Sequence, residues 1–153
     1  MQNNRIDELI KKAKILYSLG RPLTNEEIMT AESSLGVIFS DDLKKINLRY
    51  SYEFLDFFDF YGLCDEVINQ TLALRESWNL PQEYVVLSED DVSMLLLKTI
   101  SAEKSEIIWC DEPDFFNLCE GKPMVYNPTI FSSFTDFFEF LLDEEEKMQA
   151  EDD

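Results

Sequence analysis

The 153-residue chain contains no histidine. That removes the commonest general base, the usual activator of a serine or cysteine nucleophile and the commonest zinc ligand. Glycine is scarce. The four glycines, at 20, 36, 62 and 121, are too dispersed to write a phosphate-cradling loop. The three cysteines, Cys64, Cys110 and Cys119, are odd in number and no two have Cys-x-x-Cys spacing. They exclude a paired disulfide framework and a four-thiolate zinc site, and they fit a reducing compartment. No stretch approaches the roughly 18 consecutive apolar residues of a membrane span. Met1-Gln2-Asn3-Asn4-Arg5 lacks the basic start and apolar stretch of a signal peptide, so the cytoplasm is the expected location. Positive charge is also short, with 13 basic residues against 32 acidic ones and a net charge of −19. Such a chain repels phosphate backbones and anionic membranes, so neither is an expected partner.

Aromatic residues are plentiful, with 12 Phe, 6 Tyr and 2 Trp. They supply enough apolar surface to offset the ordering entropy of a folded domain. The length suits a single domain over 1–153. The acidity is uneven. Residues 1–49 carry +1, residues 50–142 carry −14 and residues 143–153 carry −6. An acidic surface of this kind attracts basic proteins and speeds their encounter, and it also keeps a small protein dispersed.

Apolar spacing predicts an amphipathic helix over 5–19, ended by Gly20 and Arg21-Pro22. Thr24 to Glu27 spells a capping box, with Ile28, Ala31 and Leu35 inward and Gly36 as the left-handed stop. Ser40-Asp41-Asp42 opens a third, short helix. The aromatic run 54–61 reads as a strand, and Asp65 to Trp78 as a helix with Val67, Ile68, Leu72 and Leu74 as buried candidates. Three strands follow at 84–87, 92–100 and 106–110, joined by short polar turns that favour an antiparallel meander. The unbroken run Met94 to Leu97 implies burial on both faces. Residues 111–123 read as a loop and Met124-Val125-Tyr126 as a short edge strand. Ser132 or Ser133 caps a last helix with an inner stripe of Phe134, Phe137, Phe138, Leu141 and Leu142. That helix runs into the acidic segment from Asp143, and its end is expected to fray from Ala150.

Carboxylates are the remaining chemical groups. Glu89-Asp90-Asp91 and Asp111-Glu112 with Asp114 are local clusters of the kind that bind Mg²⁺ or Ca²⁺, but neither has calcium-loop spacing. Acidic residues collect at turns for backbone reasons alone, and that reading is preferred. Cys110 has no histidine to activate it and reads as a small core residue. The reading therefore assigns no catalytic residue, no metal and no cofactor.

The order of pieces carries a resemblance. Glu32 and Leu35-Gly36 lead to Asp41-Asp42-Leu43, followed by Tyr61-Gly62-Leu63, Thr71, Arg75 and Leu80-Pro81. Tyr84-Val85-Val86-Leu87, Ile107-Ile108-Trp109 and the closing Ser132-Ser133-Phe134-Thr135-Asp136-Phe137-Phe138 complete it. This pattern resembles the SUKH superfamily over about residues 22–145, preceded by a helix in 1–20 and followed by an acidic tail in 146–153. Phe39-Ser40 stands where many members carry Leu-Pro, and Asp90-Asp91-Val92 where many carry an Asp-Gly turn. The resemblance implies an α+β fold, an antiparallel sheet of about five or six strands with helices packed around it. It also implies a role. Bacterial members are immunity proteins that neutralise toxins delivered between competing cells, many of them nucleases. A nuclease presents a basic cleft, which an acidic surface can occlude. The candidate contacts are acidic residues near expected strand ends, namely Asp56, Asp59, Glu89, Asp90, Asp91, Asp111, Glu112 and Asp114. The eukaryotic relatives imply the alternative of a regulatory adaptor. A carboxylate-metal hydrolase is the weakest reading. The apolar region 92–126 suits a homodimer interface as well, so monomer and homodimer both stay open.

Overall fold

The computed structural model describes residues 2–16, 22–50 and 63–151. The helices are α1 (Gln2–Leu16), α2 (Asn25–Leu35), α3 (Asp41–Arg49) and α4 (Asp65–Trp78). Then come β1 (Tyr84–Glu89), β2 (Ser93–Thr99), β3 (Ser105–Asp111), α5 (Glu112–Cys119), β4 (Thr129–Phe131) and α6 (Phe134–Glu151). The strands make one antiparallel sheet in the order β1-β2-β3-β4. The class is α+β as expected, with four strands among the described residues. The strand expected at 54–61 lies outside them, as do residues 17–21.

Local chemistry sets the ends of α2. The Glu27 N–H donates to Thr24 Oγ1 and the Thr24 N–H to Glu27 Oε1, each at 3.1 Å, which closes the capping box. Ile28, Ala31 and Leu35 are buried. Gly36 stops the helix at φ 66°, and a Cβ added there would stand 2.6 Å from Gln82 Nε2. That amide donates to Leu35 O at 2.8 Å. Gly36→Ala should therefore cost about 1–2 kcal/mol through left-handed strain and a displaced hydrogen bond. Urea denaturation measures it, and an unchanged midpoint would refute the account.

The sheet is covered on both faces. Leu95 and Leu97 of β2 join Val85, Leu87 and Ile107 in the larger core, built with α1, α2, α3, α4 and α6. Met94 and Leu96 join Tyr84, Val86, Ile108, Cys110 and Phe115 in a smaller core on the other face. This explains the continuous apolar run in β2. A bulge at Leu87 separates the pairs Val86–Leu96 and Ser88–Leu95. At the outer edge of β1, the Val86 N–H donates to Thr71 Oγ1 at 2.9 Å. Helix α4 thus occupies an edge that would otherwise be open to pairing. Thr71 is buried for this reason, whereas Leu72, expected inside, is 40% exposed.

Two further expectations are overturned. Residues 111–123 contain α5 instead of running as a continuous loop. Pro113 and the acidic Glu112 and Asp114 suit a first helical turn, and Phe115 is drawn into the smaller core. Met124-Val125-Tyr126 is not a strand. The N–H groups of Val125 and Tyr126 donate to the Asp114 carboxylate at 2.7 and 2.9 Å, so they are not free for a sheet partner. The edge strand forms later, at β4, where Ile130 pairs with Ile108.

Helix α6 buries the expected phenylalanine and leucine stripe and continues to Glu151. The Asp136 N–H donates to Ser133 Oγ at 3.0 Å, making Ser133 the cap. Four of its acidic residues pair with two cations of α1. Arg5 pairs with Asp136 at 2.7 Å and Lys12 with Asp143 at 2.7 Å, with Glu139 and Glu146 as second partners. Among the described residues no helix is long and apolar enough to cross a membrane.

Candidate partner-binding surface

One end of the sheet gathers acidic residues from three elements. Glu89 ends β1, Asp90 and Asp91 form the β1–β2 turn, Asp111 ends β3 and Glu112 begins α5. The register pairs Ser93 with Asp111, and the Glu112 N–H donates to Val92 O at 3.0 Å, so the turn and the start of α5 lie side by side. All five side chains are exposed. Among the described residues no Lys or Arg forms an ion pair with any of them. This distinguishes the sheet end from α6, where Asp136, Glu139, Asp143 and Glu146 pair with Arg5 and Lys12.

Asp90 builds the turn. Its Oδ1 accepts the N–H groups of Val92 at 2.8 Å and Ser93 at 2.7 Å, and its Oδ2 accepts Ser93 Oγ–H at 3.0 Å. The Val92 donor first, then Ser93, hold its carboxyl below the ordinary 3.8. A folded value below the unfolded one contributes stability that is present above the unfolded value and lost as pH falls through the folded one. Asp90→Asn keeps an oxygen acceptor and removes the titration. Wild type should therefore be more stable than this variant at pH 6. The margin should close as pH falls below the ordinary 3.8 of aspartate, by urea unfolding at each pH. A margin constant with pH would refute the assignment.

Two grooves flank the turn. One, of about 320 Å³, is lined by Leu74, Trp78, Met94, Phe115 and Phe116 together with the exposed Glu89, Asp90, Asp91 and Glu112. The other, of about 680 Å³, runs between α4 and β1 past Glu66, Gln70 and Ala73. Glu89 accepts a hydrogen bond from Gln70 Nε2 beside it. Trp78 is 51% exposed, and its ring meets Phe116 at a centroid distance of 4.9 Å and a tilt of 42°. Neither aromatic was marked by the sequence as a contact. The one sequence signal is the pair Phe115-Phe116 directly behind Asp111 and Glu112.

The remaining candidates are placed differently. Asp114 is fully buried with both oxygens on the 125–126 backbone, so it positions that loop and is not part of the exposed acidic surface. Asp56 and Asp59 lie outside the described residues. Among the described residues Arg75 donates to carbonyls, those of Leu35 at 2.6 Å, Gln82 at 2.8 Å and Tyr84 at 3.4 Å, and so ties α4 to the end of α2 and the start of β1. Burial pushes the Cys110 thiol up to about 12, with Asp114 and Asp111 adding to the effect, which keeps it protonated and unreactive. Among the described residues no group of three or more Cys, Asp or Glu side chains is arranged to hold a metal ion.

Residues 2–117 match the family model SUKH_5, described as SMI1-KNR4 cell-wall. The matched span includes Trp78, Phe116 and every exposed acidic residue of the sheet end. No curated protein matches the chain at a significant level.

Proposed function

The chain belongs to the SMI1-KNR4 cell-wall family of the SUKH superfamily, and from that premise we propose that it is an immunity protein. It binds a cognate basic toxin that acts on nucleic acid and neutralises it by occlusion. Proteins of this family typically act through protein–protein interaction. The observation that carries the finer reading is the acidic end of the sheet, which no Lys or Arg pairs with among the described residues and which stands beside the exposed Trp78 and the half-buried Phe116. Charge of this kind steers a basic partner into place and speeds its association. Aromatics beside it supply the desolvated contact that slows dissociation. No covalent chemistry is needed, and none of these side chains is assigned a catalytic role.

The test is capture from the native cell lysate with the tagged protein, at low and moderate salt, read by mass spectrometry. The expected result is one dominant basic protein, retained in near-equal amount and toxic when expressed alone. Several weak partners without toxicity would contradict the immunity reading. They would favour instead a regulatory adaptor, the reading that the cell-wall description of the family model supports.

A further inference from the structure

The groove between the β1–β2 turn and α5 has a chemical asymmetry that selects its occupant. Apolar and aromatic side chains line it together with four exposed carboxylates. Trp78 and Phe116, at 4.9 Å and 42°, form a corner with the indole half open to solvent. Of the four carboxylates, Asp90 is committed to the turn and Glu89 to Gln70. Asp91 and Glu112 form no ion pair among the described residues. A purely apolar side chain would leave that charge unanswered. A lysine would bring charge, but its ammonium is strongly hydrated and has no flat face for the indole. A guanidinium satisfies both requirements. It is planar, weakly hydrated, stacks on indole and offers parallel donors to a carboxylate.

Resting on the reading of the chain as a binder of a basic protein, we propose that this groove takes an arginine side chain of the partner. The guanidinium stacks on Trp78 and its edge donates to Glu112 and Asp91. The arginine is the anchor of the complex, and the rest of the acidic end steers it.

The groove is tested by NMR titration of the full chain with the capped tripeptide Gly-Arg-Gly. The comparison peptides carry citrulline, which keeps the shape and loses the charge, or lysine. The Trp78 indole signal should shift saturably with the arginine peptide, while that of Trp109, half-buried against the larger core, stays still. Citrulline and lysine should bind about tenfold more weakly. Trp78→Ala should abolish the saturable shift, and Glu112→Gln, a conservative change at an exposed position, should weaken it. No saturable shift with arginine, or equal binding by citrulline or lysine, would overturn the proposal. The two readings fail separately. A captured basic toxin that binds Trp78→Ala as tightly as wild type overturns the anchor and leaves the immunity function standing. Arginine-specific binding at Trp78 with no toxin in the lysate supports the groove while the immunity function falls.

Discussion

Replacing Asp42 by alanine should lower the unfolding free energy by about 2–4 kcal/mol. Asp42 stands in the first turn of α3, where a negative charge matches the helix dipole. Its Oδ1 accepts Ser40 Oγ–H at 2.6 Å and the Leu43 N–H at 2.8 Å. Its Oδ2 reaches across the fold to the start of α6 and accepts both the N–H and the Oγ1–H of Thr135, at 2.9 and 2.8 Å. Thr135 is fully buried, so the loss of both bonds to Asp42 is not made good by ready access to water. One carboxylate thus serves two helix starts that are far apart in sequence. Asp41 is the control. It is exposed beside Asp42, and its structural contact is a backbone one, with its N–H donating to Ala102 O at 2.7 Å. Asp41→Ala should change stability by no more than about 0.5 kcal/mol. Urea denaturation of both variants distinguishes the outcomes, and equal small losses would show that Asp42 is only a surface charge.

The second large effect concerns association. Reversing Glu89, Asp91 and Glu112 to lysine should slow binding of the captured basic partner by at least about tenfold at low salt and flatten the dependence of the rate on ionic strength. The control reverses Glu76, Glu103 and Glu151, which are exposed elsewhere. Both triples change the net charge equally, so a purely global charge effect would slow them alike. Local steering predicts that only the sheet-end triple loses rate. Stopped-flow measurements over a salt series provide the comparison.

Legibility of the fold followed the range of the forces involved. The Thr24–Glu27 box and the Gly36 stop were readable because they are closed within a few residues of chain. The α6 stripe was readable because five large apolar residues at helical spacing have one physical explanation. The run Met94–Leu97 announced its two-sided burial. Helix α5 was not readable. Its segment is rich in turn-forming residues, and it becomes helical because Phe115 packs into the smaller core and Asp114 binds the 125–126 backbone. Asp114 itself shows the limit of reading charge as surface. Its residue type suggests solvent, and its two backbone partners draw it inside.

The candidate site divides in the same way. Glu89, Asp90, Asp91, Asp111 and Glu112 were found because charge and turn position are local properties. Their convergence depends on the β2–β3 register and on the contact of Glu112 with Val92. Trp78 and Phe116 were missed as contacts because their pairing is decided by α4 meeting α5 at the end of the sheet, 38 positions apart in sequence.

The most direct test of the central claim is growth of cells that express the captured basic partner. Wild-type chain supplied in the same cells should restore growth. The variant with Glu89, Asp91 and Glu112 reversed should not, despite equal abundance and an unchanged circular dichroism spectrum. Full rescue by that variant would contradict the account, because neutralisation would then not depend on the acidic end of the sheet.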